Sequence, residues 1–166
     1  AKPENVFTFT ETTEMIQLFD FDTLAAMDEN GGIGGMASYH NYGTKGYAPM
    51  EQQMGKWSRV GTYSDVYSVG ALLFYLIFGR VPEAPDCERN AKYDYNTSLY
   101  VGNCYQDTLF PEMSDFFQNT LANYYRDRYF DMIPLVEQLQ LLETYADTRE
   151  PFIISASAGT ILPFLS

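Results

Sequence analysis

Histidine is almost missing from this chain. His40 is the single one in 166 residues, and cysteine is nearly as scarce, with only Cys87 and Cys104. A zinc site would need all three and a carboxylate to converge without any of the usual ligand spacings, so zinc chemistry is set aside. Two widely separated cysteines make no disulfide framework. They read as free thiols in a reducing compartment, which points to the cytoplasm. Positive charge is also short: ten Lys and Arg face 22 Asp and Glu, for a formal net charge of −12. Nucleic-acid binding leaves a basic footprint, and anionic membrane surfaces attract basic segments, so this balance argues against both partners. Long apolar runs are lacking as well. The most apolar stretch, residues 69–78, is ten residues long and contains Gly70; a spanning helix takes about 20. It reads as a core helix. No signal peptide opens the chain. Its first residue is Ala rather than Met, which suggests a piece of a longer protein.

Apolar residues are present in quantity. At 46% hydrophobic, the chain has enough to build a core, and its 166 residues suggest one domain. Val6 to Phe9 and Met15 to Phe19 are short apolar and β-branched runs around the polar Thr10-Glu11-Thr12-Thr13-Glu14, the pattern of a β-hairpin. Residues 22–47 read as loop. Gly31-Gly32-Ile33-Gly34-Gly35 lacks the Lys-Ser/Thr ending of a phosphate-cradling loop and reads as a flexible tip. From Ser64 and Asp65, good N-cap residues, the apolar positions Val66, Val69, Leu72, Leu73, Leu76 and Ile77 take helical spacing. The remaining face is mostly apolar too, so this helix is expected to be buried all round, with Gly79 as its stop. Residues 81–106 should be loops with one short helix. A second helix is expected from about Pro111 to Tyr125. A third runs from about Asp131 to Tyr145, with Met132, Leu135, Val136, Leu139 and Leu142 on one stripe and Pro134 in its first turn. The tail from Pro151 has no clear period. The whole reads as mainly α, with a short β-hairpin at the start.

Chemistry concentrates at the N-terminal end. Asn5 and Asp20 are an amide oxygen and a carboxylate on the two sides of the expected hairpin, whose antiparallel strands return the chain to its start. Magnesium prefers such hard oxygens and usually keeps waters and substrate phosphates in its shell.

Five segments then follow in order: Lys2-Pro3-Glu4-Asn5; Asp20-Phe21-Asp22; Gly43-Thr44-Lys45-Gly46-Tyr47-Ala48-Pro49-Met50-Glu51-Gln52; Ser64-Asp65-Val66-Tyr67-Ser68-Val69-Gly70; and Arg128-Tyr129 with Met132 and Leu135. Together they resemble the C-terminal lobe of protein kinases: the end of the catalytic loop, the metal loop, the end of the activation segment, the central buried helix and the closing arginine segment. The resemblance covers roughly residues 1–145. The wording around Lys45–Gln52, and Gly79-Arg80-Val81-Pro82-Glu83-Ala84-Pro85-Asp86, look most like bacterial serine/threonine kinases.

The resemblance implies that residues 1–147 are a kinase C-terminal lobe and residues 148–166 a tail or linker to a further domain. It implies ATP and Mg2+ as cofactors, a protein with a Ser or Thr acceptor as substrate, and an N-terminal kinase lobe as intramolecular partner. Asn5 and Asp20 would hold magnesium. Lys2 would reach the transferring phosphate as a compact point charge, and Thr44 would hydrogen-bond near it and help shape the peptide groove. Glu51, Asp65 and Arg128 would be structural. Glu51 would pair with Arg128 in a bidentate fork, with Arg126 as a competing partner, and Asp65 would complement a helix N-terminus and accept backbone N–H bonds from the catalytic loop. The catalytic Asp of the motif would fall just before Ala1, so the fragment alone should be inactive. Two departures stand out. Asp22 replaces the glycine that follows Asp-Phe, and Pro49 comes one place early. The alternative is a pseudokinase, a kinase-shaped binding module without catalysis; a third reading is an unrelated acidic helical interaction domain.

Overall fold

A computed structural model of the chain describes residues 2–8, 16–18, 43–98, 100–101, 106–147 and 153–154. The expected flexible tip at 31–35, Asp20, Asp22, Cys104 and most of the tail lie outside these residues. What is described is mainly helical.

The longest helix, α2, runs Thr62–Phe78. Its N-cap lies three residues before Ser64, the nearer of the two expected cap residues. Gly61, in extended backbone, takes the N-cap position. Its carbonyl accepts from the Ser64 N–H at 2.8 Å, and its own N–H donates to Ser64 Oγ at 3.3 Å. Ser64 therefore works from the third helical position, the reciprocal half of a capping arrangement, rather than as the cap itself. The stop is as the sequence suggests. Gly79 adopts the left-handed conformation at φ 68°, and its N–H donates to Tyr75 O at 2.8 Å.

Helix α2 buries Val66, Ala71, Phe74 and Ile77 against α3, Gln106–Leu121, and α4, Met132–Asp147. From α3 come Phe116, Phe117 and Leu121; from α4 come Leu135 and Leu142. The α2–α3 contact is close because Gly70 has no side chain: a Cβ there would stand 2.3 Å from Thr120 Oγ1. Contrary to expectation, α2 is not sheathed all round. Leu76 is exposed, and Leu72, Leu73 and Tyr75 are only half-buried. Val136, expected on the inward stripe of α4, faces outward at 45% exposure, because Leu135 and Leu142, seven residues apart, hold the buried line.

Helix α3 corrects a second expectation. It begins five residues before Pro111, so the proline lies inside the helix rather than opening it. It also ends at Leu121, and Tyr125–Asp127 forms a separate 3-10 turn. Between α2 and α3, short 3-10 turns at Ala84–Cys87 and Tyr95–Thr97 replace the one expected helix. This stretch feeds rings into the core. Tyr95 stacks on Phe110 at 4.2 Å between centroids, and Tyr93 meets Phe117 at 5.3 Å. Such pairs contribute about 0.5–1.5 kcal/mol each beyond burial.

Two small sheets complete the description. Strands β1, Val6–Thr8, and β2, Ile16–Leu18, pair antiparallel with Val6 opposite Leu18. Strands β3, Tyr100–Val101, and β4, Ile153–Ile154, pair antiparallel with Tyr100 opposite Ile154. The tail segment thus returns to the stretch that precedes α3.

Candidate functional site

Lys2 leads into a 3-10 turn, Pro3–Asn5, in which the fixed φ of proline suits the first position. The Asn5 N–H donates to Lys2 O at 3.0 Å. Both residues are half-buried, and the chain passes straight from Asn5 into β1. The β1–β2 register sets Val6, the residue after Asn5, opposite Leu18, two residues before Asp20. Asp20 itself lies outside the described residues, so of the expected magnesium pair only Asn5 has a described position. Among the described residues, no three His, Cys, Asp or Glu side chains cluster to hold a metal ion. One amide oxygen is a single hard ligand, and the fit to magnesium depends on Asp20 as the second.

The segment 43–53 is tightly folded. Tyr47 and Ala48 N–H groups both donate to Thr44 O, at 3.0 and 2.9 Å. Gly43 and Gly46 hold φ of 78° and 90°, values that favour glycine. A Cβ on Gly46 would press into Val81 at 2.7 Å. The Thr44 residue is exposed. Pro49 then stands at the N-cap of a one-turn helix, α1, Met50–Gln53. The early proline therefore opens this turn and delivers Glu51 to the interior.

Glu51 is 5% exposed and so is Arg128. Arg128 Nη1 donates to Glu51 Oε1 at 2.7 Å, and Nη2 to Oε2 at 3.2 Å. The remaining donors of the guanidinium are used too. Nε donates to Ala122 O at 2.7 Å, Nη1 to Tyr63 O at 3.3 Å and Nη2 to Asn123 O at 3.4 Å. The guanidinium carbon also lies 5.0 Å from the Tyr67 ring centroid. A buried ion pair needs this many partners, because each charge has left water. Arg126, the competing candidate, is exposed and sits over the Tyr125 ring at 5.7 Å.

Two serines extend the cluster, and the sequence reading missed this role for both. Ser64 Oγ donates to Glu51 Oε1 at 2.8 Å, and Ser68 Oγ donates to Tyr47 O at 2.9 Å. The available signal was a pair of small hydroxyls four residues apart in an otherwise apolar helix. They share one face, and a buried hydroxyl there requires a partner. Burial pushes the Tyr47 hydroxyl up to about 12, with the Tyr75 hydroxyl and Glu4 adding to the shift. Burial also raises Tyr67, whose hydroxyl lies 3.8 Å from Cys87 Sγ, and raises the thiol of Cys87, which is free. A thiol held protonated in this way is a poor nucleophile.

Asp65, in the first turn of α2, is exposed by surface area. Crowding by neighbouring protein atoms nevertheless desolvates its carboxyl and raises it above the usual range. Its place complements the helix dipole. The structure thus joins Glu51 to Arg128, and it keeps Thr44 in the same 43–53 segment as Glu51 and Lys2 with Asn5 in the turn that precedes β1. No family model matches this chain, and neither a curated protein nor a solved structure matches it.

Proposed function

We propose that residues 1–147 are the C-terminal lobe of a serine/threonine protein kinase. Joined to its N-terminal lobe in the cytoplasm, this lobe would transfer the γ-phosphate of ATP to a protein hydroxyl. The observation that carries the reading is the buried Glu51–Arg128 pair. It ties together two of the five motif segments, those ending the activation segment and closing the lobe, across 77 residues. The order and spacing of all five segments are the second support.

Within this reading Asn5 and Asp20 hold magnesium against the phosphates, and Lys2 supplies a positive charge at the transferring group. Phosphoryl transfer is mostly positioning and charge neutralisation, which these groups are suited to provide. Thr44 shapes the substrate groove, and the Glu51–Arg128 clasp fixes the segment that carries it. Bound ATP–magnesium supplies the reacting phosphoryl group and neutralises its charge.

The test uses a longer protein carrying this segment and the residues upstream of Ala1. Magnesium-dependent transfer of labelled phosphate from ATP to a Ser/Thr protein substrate is expected. Asp20→Asn should abolish it, while leaving the thermal melt in place. Undiminished transfer by that variant would sink the metal role, and no transfer by the parent would favour the non-catalytic module.

A further inference from the structure

Among the described residues, 124–136 expose an apolar surface. Tyr124 is 49% exposed, Phe130 77% and Ile133 68%. The rings are joined into one ledge: Tyr124 lies 5.2 Å from Tyr125, Tyr125 stacks on Tyr63 at 4.8 Å, and Tyr63 reaches Phe130 at 6.5 Å between centroids. Asp131 Oδ1 accepts from the Ile133 N–H at 2.9 Å, which fixes the turn that carries Phe130 into α4. Ile133 and Val136 then continue the apolar surface three residues apart on the helix. Scattered single apolar residues on a surface need no explanation, but a joined group marks an interaction site.

Charge says what covers it. Residues 106–147 contain eight acids: Asp107, Glu112, Asp115, Asp127, Asp131, Glu137, Glu143 and Asp147. They contain two cations, Arg126 and Arg128, and Arg128 is buried against Glu51. Neither α3 nor α4 carries a Lys or Arg along its length. Around the ledge, Asp127 and Glu137 are exposed and Asp131 is half-buried; the exposed Arg126 over the Tyr125 ring at 5.7 Å offsets one of these three acids and leaves the local balance negative. A second copy would bring the same net charge of −12 to this face, and an anionic membrane would be repelled. A partner of opposite charge is attracted, oriented and speeded in its approach.

We infer that the Phe130–Ile133–Val136 face docks a basic amphipathic helical segment of a partner protein. The partner's apolar side chains at helical spacing cover Phe130 and Ile133. Its Lys and Arg side chains meet Asp127, Asp131 and Glu137, and its guanidinium groups are suited to the open faces of Tyr124 and Phe130. This inference does not rest on the kinase reading.

The experiment titrates the intact chain with a fluorescein-labelled 16-residue Leu/Lys/Arg amphipathic peptide, with a Leu/Glu peptide of the same pattern as control. Anisotropy should report saturable binding of the basic peptide alone, weakening at least tenfold between 50 and 300 mM salt, on the order expected for screened charge. Phe130→Ser and Ile133→Ser should each weaken it about tenfold or more. Glu137→Lys serves as a second variant that keeps the apolar side chains, and about a fivefold loss is expected. Unchanged thermal melts would show that all three remain folded. Basic-peptide binding that none of the three variants weakens would overturn the inference. A concentration-dependent dimer abolished by Phe130→Ser would assign the face to a second copy instead. Absence of binding by the intact chain, gained on removal of residues 155–166, would assign it to the chain's own C-terminal segment. Either outcome overturns the inference, as does absence of binding in both forms.

Discussion

Arg128 holds Glu51 in a two-point fork, Nη1 to Oε1 at 2.7 Å and Nη2 to Oε2 at 3.2 Å. Three backbone carbonyls take further bonds from the same guanidinium. The clasp therefore connects the 43–53 segment, the start of α2 and the turn after α3 at one buried point. Lysine could neither span both carboxylate oxygens nor reach those carbonyls in one plane.

Breaking this pair should be costly. Removing one partner leaves the other buried and uncompensated, a loss of about 3–5 kcal/mol. Glu51→Gln and Arg128→Ala are both expected to fall in that range by urea denaturation. At about 2–4 °C per kcal/mol for a chain of this size, the melting temperature should drop by roughly 6–20 °C. Arg128→Lys should recover only a minor part. Melting at the parent temperature in all three variants would mean that the pair contributes nothing to stability.

A tighter steric test lies at Gly70. A Cβ there would come within 2.3 Å of Thr120 Oγ1 and 2.5 Å of Thr120 Cβ. Thr120 is fully buried and its Oγ1 donates to Phe116 O at 2.9 Å, so its side chain is held in place. Gly70→Ala should destabilise by about 1–3 kcal/mol as overpacking, despite alanine's better helix propensity. Adding Thr120→Ala removes the nearer contact atom and should restore part of the loss. A stabilised single variant would show that the helices separate freely.

Some of this was legible in the chain, for identifiable reasons. Gly79 marks the end of α2 because only the left-handed conformation closes that turn. The Glu51–Arg128 pairing was readable as a motif property, since nothing local connects residues 77 apart. Pro111 misled because first-turn proline is the common case, yet α3 continues five residues upstream of it. Val136 misled because it neighbours the buried Leu135; a broad stripe on a helical wheel does not say which edge tertiary packing selects. The spacing of Ser64 and Ser68 signalled that both hydroxyls need partners, but the partners themselves, Glu51 and the Tyr47 carbonyl, come from another segment and were not legible. Asp20, on which the magnesium reading depends, lies outside the described residues.

Alkaline pH should loosen the fold from the tyrosine side. Burial holds Tyr47 and Tyr95 at about 12, against 10.0 for the ordinary side chain. Their folded values lie above their unfolded ones, so the neutral hydroxyls contribute stability that is complete below pH 10. That contribution falls as pH rises from about 10 to about 12. Urea midpoints measured at intervals from pH 8 to 11.5 should be flat at first and then decline. Tyr95→Phe, which cannot ionise, should decline less steeply, although it gives up the 2.9 Å bond between Tyr95 and Ser114. An unaltered slope in that variant would remove Tyr95 from the account.

Ser64 offers a test of how far the clasp acts as one unit. Its hydroxyl donates to Glu51 Oε1 and accepts from the Gly61 N–H, joining the ion pair to the N-terminus of α2. Ser64→Ala deletes both bonds at a site only 1% exposed, and a cost of about 1–3 kcal/mol follows from the two unpaired groups. In Glu51→Gln the amide can present its nitrogen toward Arg128 and its oxygen toward Ser64, or the reverse, but it cannot serve both as the carboxylate does. The two substitutions should therefore be non-additive, with the double variant less damaged than the sum by about 0.5–3 kcal/mol, the range for residues sharing a network. A double-mutant cycle in urea measures this directly. Strict additivity would show that Ser64 caps the helix independently and that the clasp ends at Glu51.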